Sequence, residues 1–250
     1  MKKIIVFILA SIVSLPMMAQ NETVQDEIVY VQKTKYIHKP KRFFSELYTD
    51  LGFNRLDKSN LFNGNEDISA NAFPKLRNNK SKSFAIYYMA GRRFGNSGLS
   101  IVSGLGFDWV NYKFSGNMTI AERNDVAVML PVEDLFPGYQ SVRKSKLTAS
   151  YINIPVLLKM QFRGFFISAG VTGGLNIGSH TKIRYTDHFG NNHKYKDHDI
   201  HLATFRYGFM ARAGFEYWSI FATYTMSPLF AKNEGPQLYP FSMGISLRLY

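Results

Sequence analysis

Hydrophobic and polar residues alternate with a period of two over two neighbouring stretches, residues 151–162 and 165–177. In the first stretch every even position is apolar; in the second most odd positions are apolar and the even positions are largely small or polar. This period is typical of β-strands, because successive side chains of a strand point to opposite faces. The connecting residues Arg163-Gly164 predict a tight turn. The sequence therefore predicts a long β-hairpin with one continuous apolar face.

The same alternation recurs along the chain, and the connections between the alternating segments are in turn long and short. In an antiparallel barrel this order collects the short turns at one end and the long loops at the other. We therefore expect an all-β fold, an eight-stranded antiparallel up-and-down transmembrane β-barrel with short periplasmic turns and long extracellular loops. The predicted strands are residues 45–54, 83–94, 99–112, 151–162, 165–177, 203–215, 218–226 and 239–250.

The position of the charged residues indicates which face meets lipid. They share a face with the glycines, whereas the opposite face is apolar. A soluble lipid-binding barrel would instead turn its apolar face inward and carry its charge outside. An apolar exterior around a polar lumen is typical of an outer-membrane barrel. Pro155 falls on the inward face, and we expect a β-bulge there because proline has no N–H group for the strand ladder.

The N-terminal residues predict export. Two lysines precede an apolar run over residues 4–13, and a small-residue cleavage pattern follows, so residues 1–19 are expected to be a signal peptide. Residues 20–44 are polar and basic and are expected to form a periplasmic lead-in, followed by an outer-membrane β-barrel domain over residues 45–250. The predicted location is the outer membrane of a Gram-negative cell.

Composition limits the chemistry and the classes of partner that the chain can have. The 250 residues carry a formal net charge of +12 and no cysteine, which excludes disulfides, thiol catalysis and lipid attachment at an N-terminal cysteine. A basic chain can bind nucleic acid, but export argues against that partner and we expect none. The segment Ser242 to Leu249 resembles the C-terminal signal read by the barrel-assembly machinery, displaced by the one extra residue Tyr250. That machinery is therefore an expected partner of the last strand.

Several motifs together resemble one family. The export signal, the run from Tyr151 to Met160, the run from Phe166 to Gly174 and the aromatic end of the last strand are similar to those of PorT-like outer-membrane β-barrel proteins. The resemblance covers roughly residues 45–250. It implies the barrel domain, and because the namesake takes part in protein secretion, it implies an accessory role in secretion across the outer membrane as an alternative function.

The inward charges predict a plugged lumen. An eight-stranded barrel is only wide enough for its own side chains, so a packed polar core is expected and not an open pore. Glu46 and Arg248 fall near the periplasmic ends of strands that become neighbours when the barrel closes, and Arg93 can approach from the other side. We predict a lumen charge cluster of Glu46, Arg93 and Arg248. Ion conduction or proton relay is the alternative use of these charges.

The last long loops suggest surface chemistry. His188, His193, His198 and His201 are zinc or copper ligand types, but their spacing matches no recognised site and exposed histidines also serve solvation, so no metal or cofactor is predicted. Catalysis at the rim by Asp187 or His188 is a further alternative. No nucleophile motif or phosphate-binding loop supports it, so we do not expect an enzyme.

Basic residues gather where strands leave the external membrane edge, and phosphates of an anionic outer-leaflet glycolipid would pair with them. The predicted function is thus a structural or loop-mediated binding role at the outer membrane, with lipid and a possible secretion or surface partner. The expected anionic-lipid contacts are Lys80, Lys82, Arg143, Lys144 and Lys146.

Overall fold

The structure, a computed structural model, describes residues 42–57, 76–77, 80–95, 97–124, 126–198 and 200–249. The chain divides into two units, and the second, Lys39–Tyr250, contains every described residue. The predicted signal peptide, nearly all of the predicted lead-in, most of the first long loop and the final tyrosine lie outside the described residues.

The described residues form strands and one short helix. No helix among them is long and apolar enough to cross a membrane. The elements are β1 Phe43–Asp57, β2 Lys82–Arg93, β3 Leu99–Lys113, β4 Met118–Arg123, β5 Val126–Pro131, α1 Val132–Leu135, β6 Tyr139–Phe162, β7 Phe165–Asp187, β8 Asn192–Asp197, β9 Phe205–Phe215, β10 Trp218–Thr225 and β11 Tyr239–Arg248.

Eight of these strands form a ring of antiparallel pairs. The pairing runs from β1 through β2, β3, β6, β7, β9, β10 and β11 and returns to β1. The short connections lie together at one end of the ring, the turn end, and the longer ones at the other, the loop end. In the β6–β7 turn Arg163 and Gly164 have φ of 40° and 90°, the left-handed conformation that a tight turn requires. The predicted strand number and antiparallel order are confirmed.

Each strand of the ring presents an apolar face outward and a second face to the interior. Leu158 is 57% exposed and its neighbour Leu157 is 1% exposed, while Ile167 and Phe166 differ in the same way, at 52% and 1%. Exposed large apolar side chains continue around the outside of the ring. A continuous exposed apolar surface of this size marks contact with lipid. The predicted orientation of the strands, with apolar rows outward and glycines and charges inward, is confirmed.

The expected bulge at Pro155 is wrong. Pro155 lies opposite Thr172 without a change of register. The three register shifts of the β6–β7 ladder fall nearer the loop end, between Tyr139 and Ser141, Val142 and Lys144, and Ser150 and Tyr151. The fixed φ of proline is compatible with extended backbone. Its carbonyl oxygen still accepts a hydrogen bond from Ser103 Oγ at 2.9 Å. The outward rows on both sides of Pro155 therefore stay in phase.

At the loop end, β6 and β7 continue well past the apolar rows, and β8 pairs with the extension of β7. We call residues 139–150, 178–187 and 192–197 the external sheet. The sequence predicts long loops over residues 115–145 and 178–200, the first with a hairpin extension at residues 125–130. The structure has the β4–β5 hairpin there, but residues 139–145, 178–187 and 192–197 are strands as well. The lysines and arginines at their outward positions give no apolar alternation to detect.

A hydrophobic cluster closes the loop end of the ring. It combines side chains from the strand ends with others from the β4–β5 hairpin and the last loop, and its members are buried. The backbone joins these parts, because Ala127 N donates to Glu234 O at 2.8 Å and Leu229 N donates to Leu238 O at 2.8 Å. The cluster comprises Leu56, Val110, Tyr112, Phe114, Ile120, Ala127, Leu147, Ala149, Tyr151, Ile200, Leu229, Phe230 and Leu238.

A cationic sheet at the loop end as the candidate functional site

The middle of the lumen is filled by a buried ion pair. Arg212 and Asp50 have side chains 1% and 2% exposed, and the guanidinium donates from Nη1 and Nη2 to the two carboxylate oxygens at 2.7 and 2.9 Å. Arg212 also donates to Ser246 Oγ and lies over the Tyr48 ring, 4.4 Å from its centroid. Paired in this way, both charges are satisfied within the barrel.

A second polar network lies closer to the loop end. Arg206 Nη2 lies 2.5 Å from Asp108 Oδ2 and donates to Asn153 Oδ1 at 2.9 Å. Tyr87 donates its hydroxyl hydrogen to Asp108 Oδ1 at 2.7 Å. The guanidinium of Arg206 also covers the Tyr151 ring at 3.7 Å. This network holds Arg206, Asp108, Asn153 and Tyr87 together inside the barrel.

Of the predicted lumen charge cluster, Arg248 pairs with Glu46, and Lys159, which was not predicted, pairs with the same carboxylate. Arg248 Nη1 lies 3.0 Å from Glu46 Oε1, and Lys159 Nζ lies 2.5 Å from the same oxygen. The guanidinium of Arg93 lies over the Phe44 ring, 5.5 Å from its centroid. Lys159 reaches Glu46 across the ring, from a strand whose position relative to β1 depends on the barrel closing.

Between these networks the lumen has almost no free space. Two small voids, one beside Asp108 and Arg206 and one beside Glu46 and Arg212, measure about 10 Å³ each. A single water molecule needs at least that much volume. The interior beside these two networks is therefore packed, and larger cavities, of about 440 and 590 Å³, lie at and below the external sheet.

The outward face of the external sheet carries two rows of cations. In the lower row Lys113 pairs with Lys146, Lys146 with Lys182, and Lys182 with Lys196 on adjacent strands. In the upper row Lys144 pairs with Arg184, and Arg184 with Lys194. Directly paired residues have Cβ atoms about 4.5–5.5 Å apart, so these charges are immediate neighbours.

In the part of the external sheet that the structure describes, no acidic residue lies on the same face as the two rows. Asp187 and Asp197 lie at odd positions, on the other face, with Asp197 paired to the buried Thr181. None of the row residues forms an ion pair within the part of the chain that the structure describes. Like charges directly opposite each other destabilise a sheet, so the rows cost stability unless an anion binds them.

The titration of neighbouring groups reflects this density of charge. Desolvation and the charges of Lys196 and Lys146 lower the pKa of His180 to about 4. Partial burial and the charges of Lys144 and Lys182 lower the pKa of Lys146. A bound anion would oppose both shifts, because it favours the protonated forms.

The lower part of the cationic face meets the apolar rows at a groove. The groove has a volume of about 590 Å³, with Lys82 and Lys146 at its polar side and Phe84 and Trp109 at its apolar side. Lys146 Nζ is held by a hydrogen bond of 2.7 Å to Asn111 Oδ1. Cations therefore lie directly above the apolar surface that contacts lipid.

At the far end of the sheet the upper row borders a concave site of about 440 Å³, which we call the tip pocket. Next to the pocket Tyr185 lies between Phe136 and His193, with ring centroids 4.6 and 5.1 Å away. The pocket is lined by Arg143, Lys144, Arg184, Tyr185, Asn192, His193 and Lys194.

The structure divides the predicted lipid contacts between two places. Lys82 and Lys146 line the groove, whereas Arg143 and Lys144 line the tip pocket. Lys80 lies near the lower row, because its N–H donates to Arg77 O at 2.9 Å and the Arg77 N–H donates to Lys113 O at 2.8 Å. Sequence analysis missed Lys113, Lys194 and Lys196 as members of this face. Their period-two spacing within β3 and β8 was the available signal.

The predicted histidine cluster is dispersed. His193 Nε2 lies 2.8 Å from Asp187 Oδ2, and His201 lies between Glu122 and Glu234, at 3.6 and 3.2 Å. The His198 ring is 5.8 Å from that of His180, and His188 is exposed at the β7–β8 turn. No group of three or more potential metal ligands occurs in the described segments.

The antiparallel ring, with lipid-facing apolar rows and a polar packed lumen, defines an integral membrane β-barrel protein. A family model described as "Outer membrane protein beta-barrel domain" matches residues 18–228, and the chain belongs to this family. By the rule of such barrels the turn end is periplasmic and the loop end, with the cationic rows, is external.

Two solved structures are similar to the chain. Neisserial surface protein A (NspA) is 10% identical, with a TM-score of 0.34, and the match covers 82% of this chain and 95% of that one. A mutant porin of Rh. blastica is 10% identical, with a TM-score of 0.19, and the match covers 83% of this chain and 100% of that one. No curated protein matches the chain.

Proposed function

We propose that this protein is a binding protein of the outer membrane and not a channel, and that its lower cationic row binds the phosphates of anionic glycolipid in the outer leaflet. The observation that carries this proposal is the position of Lys82 and Lys146, immediately above the lipid-facing Phe84 and Trp109 in one groove. Lipid phosphates lie at this level, just outside the hydrocarbon region.

The groove can hold both parts of such a lipid. Its apolar side contacts acyl chains, and its polar side holds cations that pair with phosphate oxygens. Lys82 also lies over the Phe53 ring, 5.9 Å from the centroid, which keeps its charge near the membrane edge. The remaining lower-row lysines continue this positive strip along the outside of the barrel.

An accessory role in secretion, implied by the PorT-like resemblance, stays a prediction. It depends on the periplasmic lead-in over residues 20–44, and capture of envelope proteins with and without that segment would test it. If the protein has a secretion role, some captured envelope proteins should be lost when the lead-in is removed. The same proteins should still be captured by variants of the external sheet.

Glycolipid binding is tested with a triple variant, Lys82→Gln, Lys113→Gln and Lys146→Gln. Each lysine near a charged membrane surface contributes on the order of 1 kcal/mol, so we expect retention of phosphorylated glycolipid to fall by about tenfold or more. The measurement is the amount of glycolipid that remains with the purified protein after detergent exchange, determined by mass spectrometry.

The matched control also removes three charges, by Arg92→Gln, Arg123→Gln and Lys232→Gln, at exposed positions outside the rows. It should retain glycolipid like the wild type. Equal losses in the two triple variants, or equal retention of glycolipid without phosphate, would contradict the proposal.

The packed lumen predicts the absence of conductance. Reconstituted into planar bilayers, the protein should give no stable conductance steps, because an eight-stranded barrel is filled by its own side chains and the buried Arg212–Asp50 pair lies across this lumen. A porin measured under the same conditions serves as the positive control. Regular steps from the folded protein would show that the barrel is a channel.

A further inference from the structure

We propose that the tip pocket is a second anion site, which binds a compact ligand carrying two phosphate groups. It is separate from the glycolipid groove, since no residue lines both. Four cations line it, Arg143, Lys144, Arg184 and Lys194, and none of them forms an ion pair within the described part of the chain.

Charge sets the class of ligand. A phosphate monoester carries about −1.5 to −2 at neutral pH, so two such groups balance four cations. The guanidinium groups of Arg143 and Arg184 offer the planar pairs of N–H donors that match phosphate oxygens. A volume of about 440 Å³ lies within the range of small-molecule sites and suits a pyrophosphate or a doubly phosphorylated sugar.

The donors of the pocket are held in place before a ligand arrives. Arg143 Nη1 donates to Asn192 Oδ1 at 2.7 Å, and Thr186 Oγ1 donates to the same oxygen at 3.2 Å. Paired strands fix the spacing of Lys144, Arg184 and Lys194. A preorganised site loses less side-chain entropy on binding than flexible surface lysines would.

Two uncharged residues of the pocket lining, Tyr185 and His193, are held in place as well. Asp187 Oδ1 accepts hydrogen bonds from the Phe189 and Asn191 N–H groups at 2.9 and 2.8 Å, and its Oδ2 lies 2.8 Å from His193 Nε2. The hydrogen bond with His193 is the main cause that lowers the pKa of Asp187 to about 2, so this carboxylate stays ionised. It holds His193 in the stack on Tyr185.

The test is calorimetric titration of the folded protein, in zwitterionic detergent and free of glycolipid, with inorganic pyrophosphate. We expect pyrophosphate to bind at least about tenfold more tightly than inorganic phosphate, because only pyrophosphate reaches all four cations. The double variant Arg184→Gln, Lys194→Gln should weaken pyrophosphate binding by about tenfold or more, as expected for charge-assisted hydrogen bonds.

The control is Lys182→Gln with Lys196→Gln, which removes the same charge from the same two strands in the lower row. The rows are two residues, or roughly 6.6 Å, apart, and at 0.3 M salt the Debye length is shorter than that. At that salt the control should keep wild-type affinity.

Three outcomes would overturn the proposal. The first is pyrophosphate binding no tighter than phosphate at equal ionic strength. The second is an equal loss in the two double variants at 0.3 M salt, which would assign the binding to general charge. The third is that a long polyanion, such as a sulfated polysaccharide, binds through both rows while pyrophosphate does not. The glycolipid assay uses other residues, so either site can fail while the other stands.

Discussion

Replacement of Asp50 by Asn is expected to destabilise the barrel by about 3–5 kcal/mol, because it leaves a buried guanidinium without its counter-charge. The side chains of Arg212 and Asp50 are 1% and 2% exposed. Nη1 and Nη2 of Arg212 each donate to a different oxygen of the Asp50 carboxylate. An amide keeps one acceptor but removes the charge. Equilibrium unfolding by urea in lipid vesicles measures the change.

Two further variants show whether the loss of stability in D50N comes from leaving a buried charge unpaired or only from removing a charge. Asp57→Asn breaks an ion pair with Arg55, whose side chain is 69% exposed, and should change stability by about 1 kcal/mol or less. The double variant D50L/R212M removes both buried charges and should recover much of the stability lost in D50N. A D50N protein as stable as D57N would show that Arg212 is compensated by other groups.

Replacement of Gly106 by Ala should destabilise the barrel by roughly 1–3 kcal/mol through overpacking. An added Cβ would lie 2.2 Å from two ring carbons of Tyr87. The ring cannot move freely, because Tyr87 is buried and its hydroxyl is bound to Asp108 at 2.7 Å. The substitution therefore forces either the Tyr87 ring or the β3 backbone to shift, and near-ultraviolet circular dichroism of the aromatic side chains should report it.

Gly178→Ala is the matched control, because an added Cβ there meets no atom within 4 Å. This variant should unfold at the same urea concentration as the wild type. If G106A and G178A were equally stable and gave identical spectra, the lumen around Tyr87 would have to be looser than the contacts described above.

The packed lumen and the cationic sheet have complementary roles. A barrel filled by paired charges and aromatic rings is a stiff support, and the strands that carry the cations are continuous with it through β6 and β7. Like charges on directly paired strands destabilise a sheet. Locally unfavourable features of this kind are expected at functional sites. Binding is therefore assigned to the loop end, where the cations of the two rows form no ion pair within the described residues, and not to the lumen, where the charges are paired.

The sequence by itself determined the strands of the ring and the direction of their side chains. Period two is a local property, so the rows that include Ile152, Leu158 and Ile167 could be assigned to lipid and their neighbours to the lumen before any contact was known. The tight turn at Arg163-Gly164 followed from local backbone preference in the same way.

Only the tertiary structure decided which charges meet and where the cations gather. Lys159 is far from Glu46 in sequence, and their contact depends on the stagger of the closed ring, which no local pattern specifies. The rows joining Lys146 to Lys182 and Arg184 to Lys194 likewise arise from register across strands that sequence analysis took for loops. Side-chain direction is set residue by residue along the chain, whereas cross-strand partnership is set by the fold as a whole, and both candidate binding sites depend on the latter.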